Sequence, residues 1–302
     1  LMEPHSPYLP PAPFDRLPER SYSEHDDLTI NTGLYRQIAN QRRRVPLPLH
    51  EALGISPDAA DAFTEHVKAL YDGEIRFGDQ ETGRLVDFLE HSGMLERTLL
   101  VVTADHGEEM RDHGMFIHHG YHPAMEELIR VPLIMRIPRG AAIGDGRSAP
   151  VRRIDQQVRM IDVMPTVLDL LGMADEIHDM DGVSLRPLIE GRPMEERPAF
   201  VGSSAFNVLR TSRFKYRRIK KRFRSYRPGE SLFDIVADPL ETTDVSALHP
   251  EVLRRLREAH DAVVRHLVQR SEIVRAADEP GPELDAETRE RLENLGYLDP
   301  AQ

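Results

Sequence analysis

Asp105 and His106 stand side by side in TLLVVTADHGEE, followed by Gly107 and two more carboxylates, Glu108 and Glu109. A carboxylate oxygen beside an imidazole nitrogen is a donor pair that a hard or borderline divalent cation accepts. Taken alone, an Asp-His-Gly turn fits a plainer role equally well, with Asp105 capping the next turn and His106 solvated. The neighbourhood shifts that balance, because His113, His118, His119 and His122 all fall within seventeen residues of Asp105. Imidazoles beside a cation suit proton transfer and anion binding near neutral pH. His5, flanked by Pro4 and Pro7, is a further candidate; a lone histidine in such a place is more often structural until a partner is found.

Those residues need a frame. Thr98 to Thr103 is a short apolar run without the alternation of a half-exposed strand, which predicts a central strand buried on both faces, with Asp105 and His106 at its carboxyl end. Open α/β sheets bind ligands beyond that edge. Upstream, Ser56 and Pro57 open a helix along which Phe63, Val67, Tyr71, Ile75, Leu85 and Leu89 recur at near-helical spacing until Gly93. Downstream, Val131 to Ile137 reads as a second strand, and Pro165 to Leu171 as a helix closed by Gly172. Strands alternating with helices give an α/β fold class with a mostly parallel sheet flanked by helices. Residues 3 to 55 are rich in proline, which interrupts regular structure.

Composition changes near Arg197. AFNVLRTSRFKYRRI and SLFDIV read as short antiparallel strands, RPG at Arg227 to Gly229 as a turn, and PEVLRRLREAHDAVVRHL as an amphipathic helix. The expected division is therefore 1–197, the α/β portion that carries Asp105 and His106, and 198–302, a small antiparallel sheet-plus-helix subdomain with its tail. Ser271 to Pro282 reads as a linker to a last short helix, ETRERLENLGYL. The basic run KYRRIKKRFRSYR, Lys215 to Arg227, reads as a solvated hairpin.

A formal net charge of -12 argues against nucleic acid as partner, since a phosphate backbone is met by clustered Lys and Arg. The chain has no cysteine, so disulfides, thiolate metal sites and a cysteine nucleophile are excluded within it. No apolar run approaches the ~20 residues that span a bilayer. Compartment and oligomeric state leave no trace in the sequence.

The segments MEPHSPYLPP, YDGEIRFGDQETGRLVDFLE, LVVTADHGEEMRDHGMF, MEELIRVPLIMRIP, VRMIDVMPTVLDLLG and DGVSLRPLIEG follow one another as in the sulfatases of the alkaline phosphatase superfamily. SLFDIVADPLETTDV and RLENLGYL resemble that family's C-terminal signature and ending. Single motifs are modest, and their collinearity is the specific signal. The resemblance implies an alkaline-phosphatase-like fold and hydrolysis of a small-molecule or glycan sulfate ester. It implies a divalent cation, Ca²⁺ in the first place and Mn²⁺ or Mg²⁺ as alternatives, with a formylglycine nucleophile made from Cys or Ser. Asp105 and His106 match metal ligands of the family's second metal-binding strand. His106 stands where many sulfatases carry Asn, as in the phosphonate monoester hydrolase branch. His5 matches the histidine of a PHxPY-like segment that contacts the sulfate. His122, with His119 as second choice, falls nearest the Lys or His that serves the leaving-group oxygen.

The departures are as informative. The family's first strand, with its aspartate pair, and its nucleophile motif should lie upstream of Leu1, so the reading expects the C-terminal portion of a longer enzyme, inactive alone and with an unpaired apolar sheet edge. SAPVR, Ser148 to Arg152, satisfies the bare nucleophile pattern but lies in a Gly-rich loop rather than opening a helix. Two other readings stay open: a phosphate or phosphonate ester hydrolase of the same superfamily, and a degenerate chain that binds without turnover.

Overall fold

The computed structural model describes residues 4, 8–15, 50–51, 56–113, 123–138, 152–223, 225–277, 285 and 288, without the side chains of 59 and 272–277. Helix α1, Pro57–His91, starts where the Ser56 carbonyl accepts the Ala60 amide at 3.0 Å and proline occupies the first position. Ala60, Phe63, Thr64 and Val67 are buried at the spacing of one helical face. Ile75 and Leu85, expected on that stripe, are 44% and 50% exposed. The proline-rich stretch packs on the middle of the helix instead. Tyr8 meets the Tyr71 ring edge-on at 5.2 Å, and the Leu9 amide donates to Glu74 Oε1 at 2.6 Å. Gly73 lies against Phe14 O and Pro10, with no room for a Cβ. Gly93, at φ 67°, stops the helix, with the Met94 amide returning to Leu89 O and the Gly93 amide to Glu90 O.

Strand β1, Leu100–Thr103, follows a short turn, and strand β2, Leu133–Arg136, lies beside it. The two run antiparallel, from Leu100 opposite Arg136 to Thr103 opposite Leu133. This corrects the expected parallel arrangement at this pair, and β1 is not buried on both faces: Leu100 to Val102 are half-buried and Thr103 is exposed. An apolar run reports burial potential, not strand direction. Among the described residues of the connection there is one helical turn, α2, Glu126–Ile129. Ile134 on β2 is 62% exposed.

Helix α3, Val163–Leu170, ends at Gly172 (φ 78°) with the same pair of returning amides as α1. Asp162, 2% exposed, ties its start to the next loop: it accepts Arg159 Nη2 at 2.7 Å and the Val183 amide at 2.9 Å. The short helix α4, Arg186–Ile189, follows.

Strands β3 (Ala199–Gly202), β4 (Phe206–Arg210), β5 (Phe214–Ile219) and β6 (Gly229–Asp234) form an antiparallel meander in sequence order. Val208, Leu209, Tyr216 and Leu232 have no exposed surface and are its core. The basic run is not a solvated hairpin, because Lys215 is fully buried and Arg217 is 8% exposed. Carboxylates partner Lys215, while Arg217 stacks 4.4 Å from the Phe233 ring and 5.1 Å from the Tyr226 ring.

Helix α5, Pro250–Ala277, continues into the first part of the expected linker, Ser271 to Ala277, where SEIVRAA holds no Gly or Pro to stop it. The chain forms two compact units, Leu1–Leu253 and Arg254–Gln302. In the second, Arg254 pairs with Glu258 one turn on, and His260 Nδ1 lies 2.8 Å from Asp261 Oδ1.

Candidate functional site

Asp105 and His106 occupy the turn that leaves β1. The His106 amide donates to Asp105 Oδ1 at 2.9 Å, which fixes the carboxylate against its own backbone. His106 Nδ1 lies 2.8 Å from Gly107 O. That carbonyl can only accept, so Nδ1 carries the hydrogen and, in the neutral ring, Nε2 carries the lone pair. Asp105 Oδ2 and His106 Nε2 stand 4.0 Å apart, the first side chain 71% and the second 27% exposed.

A carbonyl holding the far ring nitrogen is the usual support of a metal-bound histidine. Ligand bonds of about 2.0 to 2.6 Å let two donors of one cation stand up to roughly 5 Å apart. The pair therefore fits a divalent cation as part of its ligand set. Among the described residues no group of three or more His, Cys, Asp or Glu completes such a set. His5, His118, His119 and His122 lie outside the described residues, as does Ser148.

The turn is seated from behind. The Gly107 amide donates to Leu128 O at 2.8 Å, and a Cβ on Gly107 would run into the Glu127 carbonyl. Gly107 is required by this close approach of two backbones. Beneath the same backbone, His113 Nε2 lies 2.9 Å from Glu127 Oε1, with side chains 11% and 19% exposed. Donation from the protonated ring to the Glu127 carboxylate raises the His113 pKa above its ordinary value against the opposing effect of burial. Burial pushes the Glu127 carboxyl up, but its bond to His113 outweighs that and holds it below the usual range.

A second cluster, which the sequence reading missed, holds α2. Arg210 grips Glu126 with Nη2 to Oε2 at 2.8 Å and Nε to Oε1 at 3.0 Å. Lys215 Nζ reaches Glu126 Oε1 at 3.0 Å, Ala124 O at 3.0 Å and Glu241 Oε1 at 2.5 Å. Glu241 Oε1 also accepts the Glu126 amide at 3.0 Å. Burial raises the Glu126 pKa, yet the Arg210 and Lys215 contacts outweigh it and the net direction is down. Burial raises that of Glu241, which Lys215 only partly offsets. The only local signal was the density of charge in MEELIR and KYRRIKK, which by itself reads as solvated surface.

The profile of the Sulfatase family matches residues 1–173, more than half of the 302. The chain belongs to the sulfatase family. This sulfatase chain is 29% identical over 203 residues to the multifunctional alkaline phosphatase superfamily protein PehA of Trinickia caryophylli, a match covering 64% of the chain and 37% of that protein. It is 28% identical over 214 residues to arylsulfatase K of Gallus gallus, covering 67% of the chain and 37% of the relative. Among solved structures, the phosphonate monoester hydrolase of Agrobacterium radiobacter superposes with a TM-score of 0.62 at 25% identity, over 87% of this sulfatase chain and 55% of that one. The likeness carries the alkaline-phosphatase-like fold class, to which the antiparallel C-terminal meander is added. The chain spans well under half the length of both curated relatives.

Proposed function

We propose that this chain contributes the Asp105–His106 half of the metal site of a sulfuric ester hydrolase. The observation that carries the reading is the turn after β1, where Gly107 O holds His106 Nδ1 and leaves Nε2 beside Asp105 Oδ2. When bound, the cation, Ca²⁺ in the first place, would polarise the ester's sulfuryl oxygens. Asp105 and His106 would hold it, the carboxylate anchored by the His106 amide and the ring by the Gly107 carbonyl. His5 would hydrogen-bond an oxygen of the anion, and His122, or His119, would give a proton to the leaving alcohol. The nucleophile in this reading is a formylglycine from outside the 302 residues, which hold no cysteine. Residues 1–197 belong to the catalytic domain and 198–302 to a C-terminal subdomain, and the substrate is a small-molecule or glycan sulfate ester.

The likeness to a phosphonate monoester hydrolase, and His106 rather than Asn beside Asp105, support a second reading, a phosphate or phosphonate ester hydrolase built on the same residues. The two are separated by one assay. The polypeptide joined to its formylglycine-bearing segment is given p-nitrophenyl sulfate, p-nitrophenyl phosphate and p-nitrophenyl phenylphosphonate, with and without chelator. Metal-dependent turnover of the sulfate, lost in Asp105→Asn and kept in Ser148→Ala, is expected. Preference for the phosphonate replaces the first reading with the second, and turnover that survives Asp105→Asn removes both.

A further inference from the structure

The only basic side chain with no exposed surface in the described C-terminal meander, Lys215, points away from the hairpin surface and toward the backbone behind the Asp105 turn. Its ammonium donates to Ala124 O and Glu241 Oε1 and forms an ion pair with Glu126 Oε1 at 3.0 Å. Ala124 is a non-glycine residue at φ 55°, a left-handed conformation that its surroundings must hold. The donor that holds its carbonyl is Lys215. Glu126 and Glu241 are drawn together by the same ammonium, although two carboxylates at this depth would otherwise repel, and the Glu126 amide closes the ring on Glu241 Oε1. The segment so fixed, Ala124 to Leu128, is the one whose Leu128 carbonyl takes the Gly107 amide and whose Glu127 backbone leaves no space beside Gly107.

We propose that Lys215 is a positioning residue for the hydrolase site. Its buried ammonium fixes Ala124–Leu128, and that segment fixes the Gly107 turn from which Asp105 and His106 project. The inference rests on the reading of Asp105 and His106 given above. It adds that their placement is set from β5, in the part of the sequence where no ligand lies. Lys215 touches no reacting atom in this account, so its effect should fall on geometry and turnover rather than on substrate recognition.

The test is residue-resolved hydrogen–deuterium exchange of the full chain as wild type, Lys215→Met, Lys215→Arg and Glu126→Gln. In Lys215→Met the amides of Gly107 and Glu126 should exchange at least tenfold faster, while amides of β3 and β4 keep wild-type protection. Lys215→Arg, which keeps the charge and donors, should recover part of the protection. Glu126→Gln, which keeps the volume and weakens both cationic contacts, should reproduce the selective loss and serves where Lys215→Met does not fold. In the active polypeptide, Lys215→Met should lower kcat at least tenfold with KM changed less than threefold. Unchanged Gly107 exchange, or loss of protection in β3, β4 and Gly107 together in every variant, overturns the proposal. Absence of wild-type turnover on sulfate, phosphate and phosphonate esters alike removes the hydrolase reading while leaving the exchange result to stand.

Discussion

His113 Nε2 and Glu127 Oε1 stand 2.9 Å apart beneath the backbone that seats Gly107, each side chain less than a fifth exposed. The His113 pKa is raised by that bond, so its contribution to stability is complete below the unfolded value of 6.5 and is lost as pH rises through the folded value. Glu127 is held low despite burial, so its contribution is complete above 4.5 and is lost as pH falls through its folded value. The pair should stabilise most between those limits. Thermal melts of wild type and His113→Gln should differ by on the order of 1 kcal/mol near pH 5.5. The difference should shrink as pH rises through the raised His113 value. A gap that widens with pH would contradict the assignment.

Asp105→Asn should leave folding nearly untouched, because the side chain is 71% exposed and the retained Oδ1 still accepts the His106 amide. Losing one anionic ligand should nevertheless lower kcat/KM by ~100-fold or more, since even groups that merely support metal ligands cost about 10–100-fold. Activity and melting temperature measured on one preparation check this. A parallel fall in both would point to a structural role for Asp105.

Gly107→Ala tests the close approach of backbones. The added methyl would meet the Glu127 carbonyl, which is backbone and cannot rotate aside. Urea denaturation should show a loss of about 1–3 kcal/mol, the scale of overpacking. The same substitution at Gly83, where a Cβ meets nothing, should stabilise α1 by about 0.5–1 kcal/mol.

Lys215→Met removes the cation that partners Glu241, while Glu126 keeps Arg210. Breaking one side of a buried pair costs about 3–5 kcal/mol. The double variant Lys215→Met/Glu241→Leu should recover a substantial part of that loss, although the Glu126 amide then lacks its acceptor. A double variant no more stable than Lys215→Met would show that charge compensation is not what holds the cluster.

What the sequence disclosed was local. Asp105 and His106 could be placed at a strand end because the strand, the turn and the two side chains occupy ten consecutive residues, 98 to 107. Helix ends were readable at Pro57, Gly93 and Gly172 because proline and left-handed glycine act where they stand. Strand direction was not readable, since the residues that decide whether β1 and β2 run parallel lie in the connection between them. Lys215 and Arg217 were misread for the same reason. A basic residue looks solvated until its acceptors are known, and those of Lys215 sit at positions 124, 126 and 241.

The Glu126 amide and the Glu241 carboxylate that receives it are separated by 115 positions. On a ribosome adding about 5–20 residues per second, the acceptor is made roughly 6 to 23 s after the donor. For that interval the Glu126 amide exists in the nascent chain with its acceptor not yet synthesised. A stop codon after His122 and before Lys215 would leave every candidate site residue translated and the Ala124–Leu128 segment without its anchor on β5. The last residue of the cluster behind Asp105 to be made is Glu241, far along the chain from the turn it helps to seat.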